Sequence, residues 1–95
     1  MGYKTKVFDP AKYLNSEEEI IAYLDAAMEG NDPAHIARAL GDVARSEGMT
    51  EISRRTGLGR QALYKALSEQ GNPTLETVTS IISSLGLRLS IQKAA

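Results

Sequence analysis

A chain of 95 residues has room for one hydrophobic core and not for two. Its 42% hydrophobic and 24% charged residues are a globular composition, and the absence of cysteine excludes disulfides, thiolate zinc sites and cysteine nucleophiles. With His35 as the single histidine, no apolar run near the ~20 residues of a membrane span and no apolar leader core, the expectation is a soluble, cytoplasmic protein without metal or cofactor.

The net charge of −1 conceals an asymmetry. Residues 1–48 carry nine acidic side chains against five basic ones, whereas residues 49–95 carry six basic against three acidic. Two halves of opposite charge suit two partners of opposite charge, although a mosaic surface without partners would read the same way.

In chain order, residues 3–8 read as a short extended segment, and Asp9-Pro10 opens one or two helical turns through Leu14. Ser16 followed by Glu19 is a capping box, and helical spacing of Ile20, Tyr23, Leu24, Ala27 and Met28 predicts a helix over 17–29 that Gly30 ends. Asp32-Pro33 repeats the start signal, with Ile36, Ala37, Leu40, Val43 and Ala44 as the apolar stripe and Gly48 as the stop. A short helix anchored by Ile52 follows to about Thr56, with Thr50 as the cap that local chemistry suggests or a start one or two residues earlier. After Gly57-Leu58-Gly59, the next helix runs from Arg60 to about Ser68 with Leu63, Ala66 and Leu67 inward. Thr74 caps the last helix, which carries Leu75, Val78, Ile81, Ile82 and Leu85 and is closed by Gly86. The period then changes, since Leu87, Leu89 and Ile91 alternate with Arg88, Ser90 and Gln92 as in a strand. The expected fold is all-α: a compact bundle of about five short helices containing a helix-turn-helix, with a short C-terminal β-strand. It divides as one domain over 1–95, with acidic helices in 1–48, the helix-turn-helix core in 49–86 and the strand in 87–95.

No catalytic constellation is present. His35 opens a helix without a nucleophile motif nearby, and Gly57 and Gly59 lack the further glycine and lysine of a phosphate loop. Glu17, Glu18 and Glu19 point in different directions on a helix and are explained by its dipole. Residues 49–75 say more. A short helix, a turn containing glycine and a second short helix form the helix-turn-helix plan. Ser53 supplies the small residue where the helices cross, Gly57 the position tolerant of positive φ, and Leu58 and Leu63 the buried aliphatics. Arg54, Arg55, Arg60 and Lys65 surround them, with Glu51 the one acid between Met49 and Ser68.

The run Ile52-Ser53-Arg54-Arg55-Thr56-Gly57-Leu58-Gly59-Arg60-Gln61-Ala62-Leu63-Tyr64-Lys65-Ala66-Leu67, followed by Gly71-Asn72-Pro73-Thr74-Leu75, resembles the Cro/repressor-type (XRE) helix-turn-helix family. With Phe8-Asp9-Pro10-Ala11-Lys12-Tyr13-Leu14 and the Leu-Gly-Leu-Arg-Leu tail, nearly the whole chain resembles HigA-type addiction-module antidotes. The resemblance implies an antitoxin that neutralises a RelE-like ribonuclease toxin and binds operator double-stranded DNA to repress its own operon. It places base reading on Arg60, Gln61, Tyr64 and Lys65, where arginine suits guanine and glutamine suits adenine. Two departures stand out: Gly59 replaces the usual Ser or Thr cap, and Met49 replaces a phosphate-binding glutamine. Phosphate contacts are therefore expected from Arg54, Arg55, Asn72 and Thr74. Related repressors read two half-sites roughly 34 Å apart, so a homodimer is expected, with Leu87, Leu89 and Ile91 pairing as strands. Glu17, Glu18, Asp25 and Glu29 are the candidate toxin-binding acids. A stand-alone Cro-like regulator without a toxin, and an adaptor that has lost DNA affinity, remain as alternatives.

Overall fold

A computed structural model describes residues 14–68 and 70–94. The extended segment expected over 3–8 and the helical turn opened by Asp9-Pro10 lie outside the described residues. Five helices follow in order: α1 (Glu17–Glu29), α2 (Pro33–Glu47), α3 (Met49–Thr56), α4 (Arg60–Ala66) and α5 (Leu75–Ser84).

The helix limits follow from local chemistry. Ser16 Oγ accepts from the Glu19 N–H at 3.1 Å, and Glu19 Oε1 accepts from the Asn15 N–H at 3.0 Å, so two free donors are satisfied at the start of α1. At its end Gly30 keeps an ordinary φ of −85°, and Asn31, at φ 53°, supplies the left-handed residue instead. Asp32 accepts from the Ala34 N–H at 3.1 Å and places Pro33 in the first turn of α2. Gly48, at φ 99°, both ends α2 and begins α3. Thr50 consequently lies inside α3 rather than capping it, and the cap falls two residues earlier, the earlier of the starts that the sequence leaves open. Thr74 caps α5 by accepting from the Thr77 N–H at 3.1 Å. At the other end the Gly86 N–H reaches Ser83 O (2.9 Å) and the Leu87 N–H reaches Ile82 O (3.1 Å), with Gly86 left-handed at φ 77°. This is a Schellman closure, which satisfies two terminal carbonyls.

α2 is the central element and packs against α1, α3 and α5. It therefore buries Ala39, Gly41 and Asp42 in addition to the stripe visible in its sequence. Leu40, Val43, Ile52, Leu63 and Ile81 are the largest side chains fully enclosed, and they come from α2, α3, α4 and α5. Leu75 departs from expectation. It is 72% exposed, because the first turn of α5 projects past the core that receives Val78, Ile81 and Ile82.

The expected C-terminal strand is not formed: the described residues contain no β-strand, and residues 87–94 have no regular structure. The alternating apolar pattern has another origin. Leu87 packs on the core as the hydrophobic partner of the Schellman closure, whereas Leu89 and Ile91 lie on the surface. A strand without a neighbour has nothing to satisfy its backbone groups, and nothing else among the described residues offers an edge.

A polar contact fastens α1 to α2. The Tyr23 hydroxyl donates to Asp42 Oδ2, and the Arg45 guanidinium donates to Asp42 Oδ1, so the buried carboxylate is paired on both oxygens. Burial, followed by the bond to Asp42, pushes the Tyr23 phenol up to about 12. A pKa raised above its unfolded value gives stability that is complete below about pH 10 and is lost as pH rises through about 12. Tyr23→Phe is expected to cost about 1.5–3 kcal/mol at neutral pH, the range for a hydrogen bond to a charged group. The difference from wild type in urea unfolding should shrink between pH 10 and 12.

Candidate functional site

The α3–α4 pair is built around the turn Gly57–Gly59. Gly57 takes φ 79°, a left-handed conformation that a side chain would strain, and its N–H donates to Ser53 O at 2.9 Å. Ser53 does more than leave space: its hydroxyl donates to the Leu58 carbonyl and pins the turn to α3. Thr56 Oγ1 adds a second tie by donating to Ile52 O (2.7 Å) and accepting from the Leu58 N–H (3.2 Å). Leu58 then packs against the core, and Leu63, 1% exposed, fixes the inner side of α4.

With Leu63 inward, Arg60, Gln61, Tyr64 and Lys65 all lie exposed on the remaining surface of α4. Their spacing spreads them over about 140° of the helix circumference. The Arg60 guanidinium sits 5.9 Å from the Tyr64 ring centre, an exposed cation–π pair between successive turns. This pair limits the rotamers of both side chains. The surface is thus a concentrated set of donors on a rigid support.

The four residues expected to contact phosphate are placed less uniformly. Glu51 accepts from both Arg54 Nε (3.1 Å) and Arg54 Nη2, and also from Arg55 Nε at 2.8 Å. Hydrogen bonds from Arg54, then Arg55, hold the Glu51 carboxyl down to about 2. Arg55 also donates to Ser84 O (3.3 Å) and lies 3.5 Å from Glu47, which braces α3 against the ends of α2 and α5. Arg54 is the more exposed of the two. Asn72 is exposed in the loop before α5. Thr74 is exposed as well, but its hydroxyl donates to Thr77 Oγ1 at 3.1 Å while it accepts from the Thr77 N–H. A phosphate bound there would have to replace the first of these bonds. The Glu51 clamp is a feature that motif matching passes over, although the i, i+3 and i, i+4 spacing of Glu51 with Arg54 and Arg55 is a visible signal.

Glu17, Glu18, Asp25 and Glu29 are all exposed on α1. They do not form one cluster. Glu17 lines a shallow cleft with Leu14, Arg55 and Leu87, while Asp25 borders a separate groove. Of the three residues expected at a dimer contact, Leu87 is partly covered by its own core, Leu89 is 40% exposed and Ile91 is 99% exposed.

These features define a small all-α protein whose fourth helix presents arginine, glutamine, tyrosine and lysine on one surface. Residues 4–93 match a family model described as "Probable addiction module antidote protein", and the chain belongs to that family. An uncharacterized protein of Haemophilus influenzae (strain ATCC 51907 / DSM 11121 / KW20 / Rd) is 43% identical over 94 residues, covering 99% of this chain and 97% of that one. No solved structure matches the chain. No helix among the described residues is long and apolar enough to cross a membrane.

Proposed function

We propose that the protein is the antitoxin of a toxin–antitoxin module and represses its own operon. In this reading the α3–α4 pair is a helix-turn-helix of the Cro/repressor type, as in HigA-type antidotes, and α4 enters the major groove of operator DNA. The observation that carries it is the joint exposure of Arg60, Gln61, Tyr64 and Lys65 opposite the buried Leu63. Arginine and lysine pair with guanine, and glutamine pairs with adenine, through the edges they present in that groove. Arg54, Asn72 and Thr74 supply the phosphate contacts, and Arg55 serves chiefly to hold α3 in place. One such unit reads few base pairs, so two copies act on two half-sites.

Membership of the antidote family favours a toxin partner over a stand-alone regulator. A RelE-like ribonuclease holds RNA on a basic surface, and the acids Glu17, Glu18, Asp25 and Glu29 supply the complementary field that steers its approach.

Arg60→Ala and Gln61→Ala are each expected to cost about 1–3 kcal/mol at one operator position and to relax its base preference. Arg54→Ala should weaken binding evenly across sequences and flatten the salt dependence by about one unit of slope. The measurement is binding of a labelled promoter fragment over a salt series. Wild-type affinity in all three variants would exclude α4 from the groove.

A further inference from the structure

The surface of α1 that faces α5 and the tail is not closed. Ile21, Leu24 and Met28 form one wall of a groove of about 550 Å³, and Leu87 and Leu89 form the other, with Ile82 between them. Ile21 is 46% and Leu89 40% exposed, and beyond the groove Ile91 stands 99% exposed. Large apolar side chains rarely gather on a free surface without something to cover them. Charge supplies the second half of the argument. Residues 17–29 carry Glu17, Glu18, Glu19, Asp25 and Glu29 and no basic residue, whereas residues 87–94 carry Arg88 and Lys93 and no acidic one. The groove is therefore acidic only on its α1 wall, where Asp25 borders it, and its other wall carries Arg88 of the basic apolar tail.

We propose that the groove is filled by the tail of a second copy of this chain, with Ile91 seated among Ile21, Leu24 and Met28 and Lys93 near the acidic rim of α1. Two tails and two grooves are satisfied together by a single two-fold axis, so the exchange closes at a dimer and does not propagate. The contact places side chains in a groove and needs no ladder between strands. It occupies the Ile21–Met28 side of α1 and covers Asp25, while Glu18 and Glu29, about a quarter-turn or more around the helix, face away from it and stay open to the toxin. The inference rests on the two-copy reading given above and supplies its interface, but it does not depend on DNA binding.

The test uses the absence of cysteine in the wild-type chain. Ile21→Cys and Ile91→Cys proteins are purified separately, mixed, mildly oxidised and run on a non-reducing gel. A disulfide-linked dimer should form in the mixture and not in either variant alone. Sedimentation provides the independent measurement: Ile91→Asp should weaken self-association by about 100-fold or more, because one apolar burial is lost twice in a symmetric contact. Ile91 makes no contribution to the core of one chain, so the circular dichroism of that variant should match wild type. Efficient cross-linking of Ile91→Cys with itself would show tails meeting each other and overturn the proposal. A wild-type dimer without the mixed cross-link, or one unaffected by Ile91→Asp, would overturn the interface while leaving the two-copy reading intact. A wild-type monomer at all concentrations would remove both.

Discussion

Gly71→Ala is expected to destabilise the protein by about 1–3 kcal/mol or somewhat more, the cost of forcing atoms into a filled site. The reason lies in how the chain leaves α4. After Ala66 the backbone turns back beneath the end of the helix, and the Gly71 N–H donates to Ser68 O at 2.9 Å. A Cβ at residue 71 would lie 2.2 Å from Ala66 O and 2.5 Å from Lys65 O. Neither oxygen can retreat freely, since both are backbone atoms of the last turn of α4, and Lys65 O also accepts from Ser68 Oγ at 2.9 Å. The loop must therefore move, and Lys65 with it. Thermal unfolding of Gly71→Ala beside Gly30→Ala separates this effect from glycine replacement in general. A Cβ at Gly30 meets nothing within 4 Å and φ there is ordinary, so that variant should keep or slightly raise the midpoint. Equal midpoints for the two would mean that the loop yields at no cost.

The requirement at Gly71 could not be read from the sequence, where Gly71-Asn72-Pro73 signals only a loop. Which backbone atoms approach a glycine is a long-range fact. The features read correctly are those set within one turn of chain. Ser16 with Glu19, and Asp32 with Pro33, gave the starts of α1 and α2 because capping involves neighbours three residues apart or fewer. The left-handed turn at Gly57 is legible for the same reason. Elsewhere the local signal leaves alternatives open or misleads. Thr50 has a capping side chain, yet Gly48 takes the turn because its positive φ lets α3 follow α2 directly. Leu87, Leu89 and Ile91 alternate as a strand would, but alternation describes a pattern of burial and not the partner that creates it. Leu75 fits the spacing of α5 and is nonetheless exposed, since the core ends before the first turn of the helix does. At the candidate site the residue types on α4 were evident from sequence. The ties of Arg54 and Arg55 to Glu51, and of Arg55 to Ser84 O, depend on rotamers and on where α5 ends.

The second large effect is expected at the centre of the core, where Ile52→Ala should cost about 2–5 kcal/mol through lost burial and the cavity left behind. Ile52 has no exposed surface, and its helix packs on α2, α4 and α5. A domain of this size has a total stability of about 5–14 kcal/mol, so the loss is a large share of it. α3 has eight residues and α4 seven, too short to persist alone, so both depend on the packing that Ile52 anchors. Ile52→Val should cost only about 0.5–1.5 kcal/mol, since one methylene is removed and most of the shape is kept. Urea unfolding with an unchanged denaturant slope would assign these differences to the native core. The two kinds of variant should also part company in function. In Ile52→Ala, stability and promoter affinity should fall together as the support of α4 loosens, and Ile52→Val should restore most of both. In Arg60→Ala, whose side chain lies on the surface, affinity should fall while the unfolding midpoint stays near wild type. Promoter binding that survives in Ile52→Ala while its unfolding midpoint collapses would mean that DNA is held by something other than the α3–α4 pair.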